Sequence, residues 1–508
     1  VAAGLLLAGA SGLAQEPPSS TQLGVSIGSG ARALGMGGAF IAVADDATAA
    51  SWNPGGLAVL QRPEASIVWK ARDRQTLERS PGTTVFRDRS VSSTETSGGQ
   101  LETLRAQALD FVSLTYPFKI GSVRLVPQLD YQRAIELGYD RRTAREASAA
   151  THVRRGSASG VVFEDATSSS SLNDVEGGGI DVWAASLALS PHPKLQVGLS
   201  LNAWRNGSRL EESSASESFA CLATASGSRT CSQDSSRFTG SAQQTFNGWN
   251  VNLGALVRPT AKLRVGLVWK APFDMEITRL RSFRNDLAHR SAEGPSLRLT
   301  RFTRQETGTI RWPRTLGLGL AVAPQDDLLV SVDFTTTRWS RAEYTYAYRS
   351  ETIDGNPDPG SFNTVEVYTE SARVLWPTRL NGRGFPLDPS DPYRGRRQRD
   401  TYQVRAGVEY VFAWRALVIP VRAGGFLDSQ YFTNTDGSRV ANGGLSAGLG
   451  ISWKSVSFDA AYIRQALRFS RDFSDSAAER GLELHELRSL GRDRIAGDRV
   501  FLSTIFRF

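Results

Sequence analysis

Sulfur and lysine are scarce in this 508-residue chain: two cysteines, two methionines, and lysine only at positions 70, 119, 194, 262, 270 and 454. The four histidines, His152, His192, His289 and His485, are scattered without metal-ligand spacing. With Cys221 and Cys231 they supply no zinc set, and no metal and no cofactor is expected. Long apolar runs are missing as well. Outside the N-terminus nothing approaches the ~20 residues that a membrane-spanning helix requires. A mean hydropathy of -0.27 does not exclude a membrane protein, because a barrel strand is apolar at only every second residue. A metalloprotease signature is missing too: no HExxH occurs, and the charged string Glu483-Leu484-His485-Glu486 falls in an expected outer loop. No enzymatic activity is expected.

The net charge of +8 therefore rests on arginine. The arginines sit in the polar stretches between apolar segments and form no single basic run, so nucleic acid is not expected as a partner. On an outer-membrane surface they would face anionic lipopolysaccharide. Val1–Ala14 is an apolar run ending in small residues, as in a secretory signal peptide whose charged start is missing, with cleavage expected after Ala14. No cysteine follows that site, so no lipoprotein anchor is expected. Cys221 and Cys231 lie close together in a Ser-rich segment. In an oxidising compartment they would staple it, worth about 3 kcal/mol at most.

From Gly30 to Ala58 the chain reads GARALGMGGAFIAVADDATAASWNPGGLA, rich in small residues and charged only at Arg32, Asp45 and Asp46. Asp45 and Asp46 suit the cap of a short helix over Ala47–Trp52. Pro54 disfavours helix at Asn53, and Gly55-Gly56 supplies a turn. Gly28-Ser29-Gly30-Ala31-Arg32-Ala33 fits a degenerate dinucleotide fingerprint. That motif needs a βαβ setting, which the following residues do not provide.

Past this stretch, alternating segments recur to the C-terminus. They are Ala65–Arg72, Leu109–Phe118, Val123–Arg133, Ile180–Ser190, Leu195–Arg205, Gly248–Val257 and Leu263–Pro272. Then follow Thr315–Ala323, Leu328–Trp339, Thr401–Phe412, Leu417–Leu427, Leu445–Lys454, Val456–Arg464 and Arg499–Phe508. The count of about fourteen is even, as in bacterial barrels. Connections alternate short and long without exception, as expected for periplasmic turns and outer loops, and each segment can cross a bilayer at a tilt. The long loops are expected at Gly138–Gly179, from the cysteine segment to Asn247, up to Arg311, and over Ser340–Arg399. Orphaned backbone groups in hydrocarbon force such strands to close. The expected fold is all-β: a transmembrane antiparallel barrel over residues 64–508, after a signal remnant over 1–14 and an N-terminal hatch over 15–63.

Arg124, Asp130, Arg264, Lys270, Asp333, Arg405, Glu409, Arg422, Lys454 and Asp459 should face the lumen, since Lys or Arg on the lipid face near the midplane costs ~2–4 kcal/mol. Trp69, Trp183, Trp249, Trp269, Trp339, Tyr410, Phe412, Trp453, Tyr462 and Phe506 suit interfacial girdles. Phe508 ends a face formed with Phe506, Thr504, Leu502 and Val500, the kind of terminal strand that the outer-membrane insertion machinery recognises.

The Gly30–Ala58 string resembles the N-terminal hatch of the FadL/TodX family of outer-membrane channels for hydrophobic compounds. Two further strings, Trp312–Ser340 and Thr401–Asp428, resemble strand pairs of that family. Asn53-Pro54-Gly55 stands where Asn-Pro-Ala is commoner, and the loops are unusually rich in Arg and Ser. The resemblance implies a hatch carried by Gly35, Gly37, Gly38, Asp45, Asp46, Asn53, Pro54 and Gly55. It also implies passive uptake of hydrophobic small molecules such as long-chain fatty acids or hydrocarbons, with possible sideways release into membrane lipid. Pro127, inside a strand with no free edge, is the candidate for a kink or bulge opening the wall, or for a bulge whose carbonyl is otherwise satisfied. Arg405 and Arg422 are candidates for a ligand head group, although lumen arginines also serve structural ion-pair networks. Two other readings stand beside this one: a scaffold barrel of a secretion or attachment complex, with a polar lumen, and an open hydrophilic porin without a hatch.

Overall fold

The computed structural model describes residues 28–79, 82–88, 91–97, 100–121, 123–147, 161–224, 229–292, 294–355, 364–375, 399–433, 438–472 and 490–508. The expected signal remnant, residues 15–27 of the expected hatch, His152 and the Glu483–Glu486 string lie outside them.

Fourteen antiparallel strands close into one sheet. They are β1 (Glu64–Arg79), β2 (Gln100–Thr115 with Phe118–Ile120), β3 (Val123–Glu136 with Tyr139–Ala147), β4 (Val161–His192) and β5 (Leu195–Arg205 with Gly207–Thr224). Next come β6 (Arg229–Val257), β7 (Leu263–Lys270 with Phe273–Ser291), β8 (Gly294–Trp312 with Thr315–Gln325), β9 (Leu328–Thr337 with Glu343–Gly355) and β10 (Thr364–Leu375 with Thr401–Trp414). The last four are β11 (Leu417–Thr433), β12 (Arg439–Trp453), β13 (Val456–Asp472) and β14 (Leu490–Arg507). β14 closes on β1 from Glu64↔Arg507 to Arg79↔Asp493, so no backbone edge is left to lipid. Tight turns join the strands at one end, as at Trp414–Leu417 and Trp453–Val456, where Arg415 and Lys454 take positive φ.

The alternation along β3 settles its faces. Leu129 is 67% exposed on the outside, whereas its neighbours Gln128 and Asp130 are 2% and 8% exposed within. The same holds round the barrel: Ile67, Leu199, Leu253, Leu318, Val332 and Leu502 face out, while Ser66, Ser200, Ser331, Asp333 and Ser503 are buried inside. An even-stranded closed barrel with such an aliphatic belt is a transmembrane barrel of the outer-membrane type. Trp69, Trp183, Trp249 and Tyr462 on the outer surface, and Tyr410, Phe412, Trp453 and Phe506 nearer the turns, are exposed as girdle residues are. Trp339 is not among them: it turns inward onto a cavity. Lys454 is also misplaced by the alternation, since it occupies a tight turn and lies over the Trp453 ring at 4.5 Å.

The expected long loops are largely strand. β4, β5 and β6 continue as one ladder through the cysteine segment, and Phe273–Ser291 pairs with Gly294–Trp312 over its whole length. Cys221 and Cys231 oppose each other in that ladder and are disulfide-bonded. The Ser-rich stretches of β5 and β6 lack the period-2 signal of half-buried strands and are sheet by their backbone pairing. Phe273, Met275 and Ile277, and Tyr344, Tyr346 and Tyr348, do alternate and are buried on the inner side.

Leu318 lies mid-strand on the belt of β8. Leu318→Arg is expected to destabilise the folded barrel by about 2–4 kcal/mol. Reversible unfolding in phospholipid vesicles would measure it, and an unchanged midpoint would place that face away from lipid.

Candidate functional site

Residues 28–60 lie inside the barrel and are buried almost throughout. A five-residue helix, α1 (Ala31–Gly35), a single turn, α2 (Ala49–Trp52), and a 3-10 turn over Pro54–Val59 are joined by compact loops. α2 starts later than the sequence predicts, at Ala49 after Thr48, and neither aspartate caps it directly. Asp46 Oδ1 instead accepts from the backbone N–H and hydroxyl of Thr48, at 2.9 and 2.6 Å. Asn53 caps the 3-10 turn, its Oδ1 accepting from Gly55 N at 3.1 Å. Phe40 and Trp52 meet edge to face at 5.9 Å. They form an apolar centre with wall residues Val68, Phe111, Val126, Ile463 and Phe501.

The insert touches the wall backbone to backbone. A Cβ added at Gly198 would lie 2.3 Å from the Pro54 carbonyl oxygen, one at Gly254 2.1 Å from Asn53 Oδ1, and one at Gly266 2.3 Å from the Ile41 carbonyl oxygen. Gly319, Gly407 and Gly424 are as closely approached, by Ala42 and Met36. Gly198 pairs with Gly254, Gly266 with Gly319, and Gly407 with Gly424 across neighbouring strands. The glycines thus form flat pads that no other residue could supply, since any side chain there would occupy the insert's own backbone. From the insert's side, Gly35 packs on Gly448, Gly37 on Gly425, Gly38 on Arg405, and Gly55 on the Gly254 carbonyl. Gly37 and Gly38 have positive φ as well.

Polar contacts fix the remaining groups. Asp333 Oδ2 accepts from Phe40 N and Ile41 N at 2.6 and 2.8 Å. Ser446 Oγ accepts from Gly37 N and donates to the Gly35 carbonyl. Asn53 Nδ2 donates to the carbonyls of Ile41 and Ala255, at 2.9 and 3.0 Å. A relay of alternating charge then crosses the barrel. Arg264 and Arg32 share Asp45, at 2.8 and 2.6 Å. Arg32 also grips Glu409 through two bonds of 2.9 Å, and Arg422 joins Glu409 to Asp459 at 2.6 Å each. Burial alone would raise the Asp45 carboxyl, but Arg32 and Arg264 outweigh it and hold it down at about 2.

The two head-group candidates are thereby accounted for. Arg422 belongs to this relay, and Arg405 donates to the Gly37 carbonyl at 3.1 Å and to Asp428 Oδ2 at 2.7 Å. Pro127 sits opposite Leu187 in a β3–β4 register that runs unbroken from Arg124 to Arg133, without the register change expected there. The interruption is on its other side. The β2–β3 ladder stops at Thr115↔Gln128 and resumes at Phe118↔Leu125. Across that lapse the Pro127 carbonyl accepts from Tyr116 N at 3.2 Å, and Pro127 has no N–H to return.

On the far side of the insert from the tight turns lies a cavity of about 190 Å³, floored by Ala50 and Ser51. An arc of aromatic rings lines it. Trp204 stacks on Phe273 at 5.3 Å, Trp312 meets Trp339 at 5.2 Å, and Trp339 meets Tyr431 at 5.6 Å. A buried apolar column of Phe273, Met275, Ile277, Ile310, Tyr344, Tyr346 and Tyr348 continues the arc along the inner face of the extensions. Neither the glycine pads nor the arc was read from the sequence. The pads do have a signal there: an apolar-Gly-apolar triplet inside strand after strand, as in Val197-Gly198-Leu199 and Val265-Gly266-Leu267.

No protein family and no curated protein sequence matches the chain. Solved structures similar to it include a Pseudomonas aeruginosa FadL homologue, at 12% identity and TM-score 0.49, covering 95% of this chain and 98% of that one. Two others are toluene transporters, TodX of P. putida (12% identity, TM-score 0.43, 95% and 99% covered) and TbuX of Ralstonia pickettii (15%, 0.42, 95% and 98%). The chain resembles these barrels end to end.

Two outcomes are expected of the insert. Gly266→Leu should unseat it while the barrel still forms, raising single-channel conductance in planar bilayers well above the native level; native conductance would show that the pad is dispensable. Because the folded Asp45 carboxyl is held at about 2, below its ordinary value of ~3.9, its contribution of about 2 kcal/mol is complete above pH ~4 and fades as pH falls toward 2. Conductance should therefore be flat from pH 7 to 5 and rise between 4 and 2, and Asp45→Asn should remove that rise by opening the channel at neutral pH.

Proposed function

We propose that this barrel carries small hydrophobic molecules inward across the outer membrane. The aromatic arc above the insert is the observation that supports this reading. A structural scaffold has no use for an aromatic-lined recess above its insert, and an open porin has no use for a seated insert. A molecule leaving water would pass along the tyrosine and aliphatic column, shedding hydration at ~25 cal/mol per Å² of apolar surface buried. It would then rest against Trp204, Trp312 and Trp339. The insert acts as the hatch, closing the direct path and keeping the barrel tight to ions and water. The chamber volume suits a small hydrocarbon better than an extended acyl chain, and with Arg405 and Arg422 already paired no cationic head-group site is assigned.

Exit is proposed at the β2–β3 lapse. Val126 packs inward against the insert, and its neighbour Pro127 leaves the Tyr116 carbonyl without that strand's N–H. Parting two strands is easiest where ladder bonds are already missing, and the route leads sideways into lipid.

Uptake of labelled toluene by cells expressing the chain tests the reading. Expression should speed uptake, and replacing Trp312 and Trp339 together by alanine should reduce the gain about tenfold with the barrel still heat-modifiable on gels. Uptake no faster than in cells lacking the chain favours the scaffold. Pro127→Val, which restores an N–H to the ladder, is expected to slow delivery several-fold without weakening toluene binding in the chamber. Wild-type uptake at equal surface expression would remove the lateral exit.

A further inference from the structure

The chamber carries acceptors that the protein leaves unused. Asp130 is 8% exposed, and its Oδ2 has no hydrogen-bond partner among the described residues. Asp428, 3% exposed, gives Oδ2 to Arg405 but has an unpartnered Oδ1, and Thr335 Oγ, at 2% exposure, is likewise unpartnered. All three residues line the same cavity as Trp204, Trp312 and Trp339. Buried polar groups are almost always satisfied, and these three share one recess in which a guest can complete them. A purely hydrocarbon guest would leave every one of them bare.

We propose that the guest is a neutral single-ring aromatic molecule bearing a hydrogen-bond donor, of the phenol class, with its ring in the aromatic arc and its hydroxyl directed to Asp130. The proposal rests on the uptake reading and narrows it. Ring size follows from the volume: about 190 Å³ falls below the ~300–1,000 Å³ of sites for larger organic ligands. Neutrality follows from the charges that face the recess. An anion brings no donor for the Asp130 acceptor, and Asp428 is already paired with Arg405, whereas a cation meets Lys270, which lines the same cavity and is already engaged within the protein. A neutral donor encounters neither objection and completes an acceptor that is otherwise unmatched. Selectivity of this kind is steep, because a site that hydrogen-bonds a hydroxyl is left with unpaired groups by the analogue lacking it.

The test uses the full chain in detergent, with tryptophan fluorescence as the readout and four probes of one shape: 4-methylphenol, toluene, 4-methylbenzoate and 4-methylbenzylammonium. 4-Methylphenol is expected to bind about tenfold more tightly than toluene, and the two ions more weakly than either. Asp130→Leu should abolish the preference for 4-methylphenol while leaving toluene affinity unchanged. Asp130→Asn, which keeps an acceptor oxygen, should retain most of the preference and serves if the leucine variant fails to fold. Equal binding of 4-methylphenol and toluene to the wild type, tightest binding of either ion, or a preference that survives Asp130→Leu would each overturn the phenol assignment alone. If neither toluene nor 4-methylphenol binds, the uptake reading falls with it.

Discussion

The structure depends on how closely two backbones can approach. The insert lies on the inner wall with no side chain between them, at Gly198 and Gly254 on one side of the barrel, Gly266 and Gly319 on another, and Gly407 and Gly424 on a third. Bringing bare backbone against bare backbone exposes polar groups that must be matched. Asp333 and Ser446 of the wall do so from one side, and the insert's own Asn53 amide spans to Ala255 from the other. Glycine costs conformational entropy inside a strand, and closure of the barrel offsets it by leaving every strand two neighbours. The pads therefore tie the plug's position to the register of the sheet. A slip of one residue would replace a glycine by a side chain directed into the insert.

Charge performs the second part of the seating. Buried ions are tolerated only when paired and hydrogen-bonded, and the relay from Arg264 through Asp45, Arg32, Glu409 and Arg422 to Asp459 meets that condition by alternating sign. The relay reaches from the insert into the wall at β7, β10, β11 and β13, so the insert is tied to widely separated strands. It also engages Arg422, which stands out as a lumen cation in the sequence, whereas Arg405 is held apart from the relay by Asp428 and the Gly37 carbonyl. Above the insert the logic reverses. Aromatic rings replace glycines, and a recess opens beyond the packed insert. Seat and chamber are thus chemically distinct along one barrel.

Much of the fold was legible. The membrane strands, their even number, the faces of β3 and the C-terminal strand all follow from period-2 alternation, because lipid outside and a polar interior impose opposite chemistry on successive residues. The extensions were not legible. In the Ser-rich stretches of β5 and β6 alternation is lost, and they read as loops although their backbones pair throughout; elsewhere the alternation is short, as at Phe273, Met275 and Ile277 or Tyr344, Tyr346 and Tyr348. Trp339 shows the same limit for a single residue: its place at a strand end matches a girdle, and only the break between Thr337 and Glu343 turns it inward.

By itself, the sequence determined the barrel, its two-sided strands and the small-residue character of the N-terminal stretch. Each of these is local or periodic, and so is written in neighbouring residues. Tertiary structure decided which lumen charges pair, which glycines carry the insert, where the wall ladder lapses, and which acceptors stay bare. Those outcomes join residues hundreds of positions apart, such as Arg32 with Glu409 and Gly37 with Ser446. Their proximity is set by the closure of the sheet, which no stretch of sequence expresses alone.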